Sequence, residues 1–278
     1  MISEQQFLEQ LRSAIHCNKI TLPTLPEVAL RVRDALEQEG ISEKEIAEIV
    51  AIDGALAARL LQVVNSAPNR GQVPIESIQQ AVARLGNRQA RNLVTSLAMQ
   101  QMFQATSDTL DKQLRAVWEE GVQVGTISKV LAQRLPHLNQ EQAMLAGLIH
   151  NIGSLPILML AESDSELIAD EARLARLVEV FNPTIGTEIL EEWQFPESLA
   201  MVPKYYQQLD YDGGPEADYV DVVLVARLQN LPAGHPALQH DWSQVPAFSK
   251  IGLAPEVEVV NIDGVTDELH ELKEMFLA

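Results

Sequence analysis

Apolar residues recur at three- and four-residue spacing along nearly every long stretch of the chain, and strict alternation is scarce, which predicts an all-α protein. Ser42 stands three residues before Glu45 and ahead of Ile46, Ile49 and Val50, the pattern of a capping box opening a helix. Asp53 precedes Leu56, Leu60, Leu61, Val63 and Val64, so an acidic cap is expected to open the next helix. Pro74 is placed to open a third, with Ile75, Ile78, Val82 and Leu85 on one face and Gly86 as terminator. A further helix runs from Asn87 to about Ala105, where the polar cluster 106–109 breaks the period. The domain boundary is therefore expected near Leu110, giving two packed helical lobes, 1–110 and 111–278. In the second lobe, helices are expected at Trp118–Leu135, Gln140–His150 with Asn139 as cap, Ser163–Phe181 and Pro183–Trp193. Gln207–Asp218, with Gly213, Gly214 and Pro215, reads as a loop, and Leu231–Pro255 as Pro-punctuated and partly irregular.

Composition supports a globular chain: 278 residues, 46% hydrophobic and 21% charged. The longest apolar runs, Leu155–Ala161 and Val222–Ala226, fall far short of the roughly 20 residues that cross a bilayer, so no membrane span is expected. The first eleven residues carry Glu4 and Glu9 in place of a basic, then apolar, leader, and a cytoplasmic location follows as an expectation. Cys17 is the only cysteine, which rules out an internal disulfide and a cysteine metal cluster; it is read as a semi-buried structural residue. Charge is uneven. Residues 1–112 hold 13 acids against 11 bases, and residues 113–278 hold 26 against 9. That acidic field disfavours nucleic acid and anionic lipid as partners of the second lobe, and it also fits a well-solvated surface.

Three stretches together carry a family resemblance. "LPTLPEV" at 22–28 leads to "IVAIDGALAARLLQVVNSAPN" at 49–69 and "IESIQQAVARLG" at 75–86. The second half adds "VWEEGVQVGTISKVLAQRL" at 117–135, "EQAMLAGLIHNIG" at 141–153 and "EILEEWQFPESLA" at 188–200. In order and spacing these resemble the HDOD family of bacterial signalling modules, relatives of the HD-type metal-dependent phosphohydrolases. Gly54 stands where that family usually has Pro. Asp53, Asn65 and Ser66 belong to the first-half motif and read as structural caps, with Leu22-Pro23 and Leu25-Pro26 as a rigid extended entry.

The enzymatic relatives hold one or two metal ions through a first His, an adjacent His-Asp pair and a later Asp. The resemblance places Glu120 at the first His. It keeps His150 but puts Asn151 in place of its Asp, and puts Asn182 where two-metal forms often carry His. Tyr205, Tyr206 and Gln207 fall where a His pair is frequent, and Arg227 falls at or near the terminal Asp. An amide brings no charge to a cation and a guanidinium repels one, so two ligands, Glu120 and His150, fall short of a three-ligand hydrolytic site. The expectation is a vestigial pocket of Glu120, His150, Asn151, Asn182, Tyr206 and Arg227, with no metal, cofactor or catalytic group. No phosphate loop, nucleophile elbow or paired-His zinc string is present. What the resemblance implies is a non-enzymatic regulatory module acting through unknown signalling proteins, with its input supplied by another polypeptide. Two other readings stay open: a metal-dependent phosphohydrolase with degenerate ligands, and a receptor for a small molecule or nucleotide in the emptied pocket.

Overall fold

The structure, a computed structural model, describes residues 4–17, 42–51, 54–65, 75–100, 102, 108–257, 259 and 269–270. Asp53 and Ser66, and the Leu-Pro pairs at 22–26, lie outside them. The regular elements among the described residues are helical. In chain order they are α1 (Glu4–His16), α2 (Glu43–Val50), α3 (Gly54–Val64), α4 (Ile78–Leu85), α5 (Asn87–Gln100) and α6 (Asp108–Ala132). There follow α7 (Gln140–Ile149), α8 (Ser154–Glu162), α9 (Ser165–Ala169), α10 (Glu171–Glu192), α11 (Glu197–Tyr205), α12 (Tyr219–Leu228) and α13 (Pro246–Ile251), with 3-10 turns at Pro236–Gln239 and Trp242–Gln244.

The chain divides into two compact units, residues 25–102 with 260–278 and residues 1–24 with 103–259. This departs from the expected boundary near Leu110, because α1 belongs with the C-terminal unit. Phe7 and Leu11 are buried, Phe7 stacks on Phe181 of α10 at 6.0 Å, and Arg12 and Glu4 pair with Glu188 and Arg176 of the same helix. Leu110 itself is a buried residue inside α6 and marks no break.

In the smaller unit α2 packs on α4, and α3 and α4 pack on α5, around Ile46, Val50, Leu60, Val82 and Val94. The Ser42–Glu45 capping box is present with both of its bonds. The third helix begins later than Pro74, at Ile78, with Ser77 as its cap; Gly86 ends it at φ 74°. The reason is Asn65. Its side chain accepts from Ile75 N and donates to Ile75 O, both at 2.8 Å, so the backbone at 75 is held as if in a sheet ladder and is not free to enter a helix.

The larger unit is built on the pair α6 and α7, with α8 and α12 packed on it and α10 packed on α8 and α11. Asn139 caps α7, and Asp164 and Asp170 cap α9 and α10. The expected break between Phe181 and Pro183 is absent: α10 runs through Pro183, with Phe181, Asn182 and Ile185 buried on both sides of it. Tertiary burial of both halves outweighs the single lost backbone bond. Gln140–Glu162 is long and apolar enough to cross a membrane, yet 89% of its most apolar window is buried in the unit and residues 150–153 interrupt it, making it a core hairpin. Cys17 is exposed, not semi-buried, at the end of α1.

Candidate functional site

The close approach of α6 and α7 rests on glycine. A β-carbon built on Gly147 would stand 2.6 Å from Gly125 N, and one on Gly121 would stand 2.9 Å from Leu148 O. This contact brings Glu120, on α6, across from His150, the C-cap of α7. His150 is wholly buried. Its Nδ1 lies 2.6 Å from Gly147 O, and a carbonyl only accepts, so Nδ1 carries the hydrogen and Nε2 presents a lone pair. That lone pair has no hydrogen-bond partner and faces Glu120 Oε1 at 4.0 Å. Burial holds the imidazole below its ordinary value, against the pull of Glu120.

The neighbouring groups fix this arrangement. Asn182, on α10 and fully buried, donates through Nδ2 to His150 O at 3.0 Å and to Tyr206 Oη at 2.9 Å. Tyr206, the C-cap of α11, meets the His150 ring edge-on at 4.8 Å between centroids and also accepts from Gln207 Nε2. Its phenol is pushed up to about 12, chiefly by burial. Arg227, in the last turn of α12, places its guanidinium 5.4 Å above the Tyr206 ring. Asn151 turns its amide away, donating to Val117 O at 2.9 Å. The six residues picked out in the sequence thus come from α6, α10, α12 and the ends of α7 and α11, and gather about one buried imidazole. Tyr205 does not join them. Its ring meets that of Tyr211 at a tilt, 5.2 Å between centroids, and it lines a separate open cavity of about 630 Å³ with Glu197, Met201, Asp212 and Asp218.

Two residues of this region carried no signal in the sequence. Glu179 on α10 lies 3.9 Å from Arg227 Nη2 and 3.7 Å from His235 Nε2. Both partners are distant in sequence, and His235 sits in a stretch legible only as irregular.

A hydrolytic metal does not fit these residues. The donors facing one another are a single imidazole nitrogen and one half-exposed carboxylate, and the neighbouring cation, Arg227, opposes positive charge at His150. Among the described residues no three His, Cys, Asp or Glu side chains are grouped to hold an ion.

The described elements form an all-helical domain of the HD-like class, the fold of the solved structures it resembles. The chain is a member of the HDOD family, whose domain pattern matches residues 22–209. It is similar to the crystal structure of a candidate metal-dependent phosphohydrolase from Shewanella amazonensis SB2B, at 32% identity and TM-score 0.81, over 98% of this chain and 99% of that one. It also shares its fold with an HDOD domain protein of unknown function from Geobacter sulfurreducens, at 21% identity and TM-score 0.72, over 99% and 100% of the two chains. A curated relative, an uncharacterized protein of Treponema pallidum, is 24% identical over 81% of this chain, which spans only 44% of that relative's length.

Proposed function

We propose that this chain is a regulatory module that acts by contact with other proteins, its HD-type site kept as a buried polar cluster without catalysis. The observation that carries this reading is the surroundings of His150. Besides the half-exposed Glu120 carboxylate, the one imidazole is surrounded by two amides, a phenol and a guanidinium, none of which adds the further negative charge that a hydrolytic ion needs. Two Asn side chains that spend their NH2 groups on carbonyls hold helices together, and Tyr206 fills the space above the ring. The acidic second half favours protein partners with basic faces over nucleic acid.

A metal-dependent phosphohydrolase is the second reading. It is favoured by the full-length 32% identity to the Shewanella protein, a candidate metal-dependent phosphohydrolase. Elemental analysis of the purified chain, with a panel of phosphomonoester, phosphodiester and nucleotide substrates, separates the two. The regulatory reading expects less than one zinc, iron, manganese or magnesium ion per chain and no turnover above a His150→Ala control. A firmly bound ion together with a metal-stimulated rate lost in that variant would transfer the conclusion to hydrolysis.

A further inference from the structure

Beyond the residues around the imidazole, the Glu179 carboxylate of α10 faces both Arg227 and His235. Arg227 is nine-tenths buried with its guanidinium over the Tyr206 ring; among the described residues it makes no side-chain hydrogen bond, and the carboxylate in ion-pair range is Glu179, at 3.9 Å. Its planar fork carries five N–H donors, more than the Tyr206 ring face and one long ionic contact engage. Beside it, His235 Nδ1 accepts from Ala237 N at 3.1 Å. A backbone N–H only donates, so His235 carries its hydrogen on Nε2, and that N–H stands 3.7 Å from the same Glu179 oxygen. Two donors from separate segments therefore flank one oxygen position, and the carboxylate there is too far from either for a hydrogen bond. Glu179 is half exposed, so solvent reaches that position.

We infer that Arg227 and His235 form a binding site for a small oxyanion, a carboxylate or phosphate group, whose place Glu179 loosely holds in the free protein. A guanidinium fork matches two oxygens of such a group, and the imidazole N–H supplies a third bond to it. The excess of 26 acids over 9 bases in residues 113–278 disfavours a polyanion, which leaves a single compact anionic group as the occupant. Glu179 competes for the same donors and repels the same ligand, so it sets the concentration at which the anion enters. This inference is independent of the regulatory reading, since binding is measured on the isolated chain without a partner.

The test is titration of inorganic phosphate, adenosine monophosphate and succinate into the whole chain, followed by calorimetry and by the His235 imidazole resonances. Saturable binding is expected for at least one of the three. In Glu179→Gln it should tighten by about tenfold, the effect expected from removing one like charge at close range. Arg227→Lys, which keeps charge and stem but loses the fork, and His235→Gln should each weaken binding in the Glu179→Gln background. Tighter binding of the mononucleotide than of free phosphate identifies a nucleotide source, and a preference for succinate identifies a carboxylate. If none of the three binds wild type or Glu179→Gln saturably, the site does not exist. Binding that is unchanged in both Arg227→Lys and His235→Gln overturns the assignment as well. Should Arg227→Lys fail to fold, His235→Gln carries the test, because His235 caps only a surface turn.

Discussion

At the scale of single residues, the buried imidazole and the buried amides are the groups whose replacement reads most directly. Burial lowers the proton affinity of His150, so the unfolded chain, where it titrates near about 6.5, binds more protons than the folded one. Its stabilisation is complete above that pH and is lost as pH falls below it. Asp221, pushed up to about 6 chiefly by burial, works in the other direction: between about pH 4 and 6 the folded carboxyl keeps a proton that the unfolded one has released. Comparing wild type with His150→Gln at each pH cancels the Asp221 contribution. Between pH 7 and 5 the urea midpoint of wild type should fall relative to that of the variant; parallel curves would mean that His150 titrates freely inside the fold. Asn65 offers a second test. Asn65→Ala leaves both backbone groups of Ile75 without their partner and should cost about 1–3 kcal/mol in denaturant unfolding. Loss of only a few tenths would return Asn65 to the minor role of a helix end.

At the scale of elements, capping chemistry was readable because it is local. Ser42 with Glu45, and Asn139, act within three residues of themselves, and each caps its helix where the spacing predicts. Two boundaries were not readable, for reasons that lie elsewhere in the chain. The start of α4 is delayed by a side chain ten residues upstream, and α10 continues through Pro183 because the residues on either side of the proline are buried. The α6 and α7 contact gives the corresponding prediction. Gly147→Ala pushes a β-carbon to 2.6 Å from Gly125 N, so both backbones must shift, and it should destabilise the chain by about 2–3 kcal/mol. Gly54→Ala, at a helical position with no atom within 4 Å of the new carbon, should be neutral or gain up to about 1 kcal/mol. Equal effects in thermal or urea unfolding would refute the close crossing.

At the scale of the whole molecule, the question is which parts of the chain share a core. Phe7 and Leu11 are almost wholly buried in the C-terminal unit, and two exposed ion pairs add little to them. Burying two such side chains contributes about 3–6 kcal/mol, so a chain lacking residues 1–17 should melt about 6–20 °C lower than the full one. An unchanged melting temperature would show that α1 contributes nothing to that core.

Sequence patterning determined the helical class, because periodicity and caps are properties of near neighbours along the chain, and the resemblance carried by motif order pointed to the family and to its site positions. Glu120, His150, Asn151, Asn182, Tyr206 and Arg227 could be named that way. Only the tertiary structure decided what those residues do to one another: that the His150 lone pair faces a carboxylate at 4.0 Å, and that Asn182 ties two helix ends together. It alone placed Glu179 between Arg227 and His235. Hydrogen bonds and charges act over a few ångströms of space, and partners 32 or 48 positions apart leave no periodic trace from which that closeness could be read.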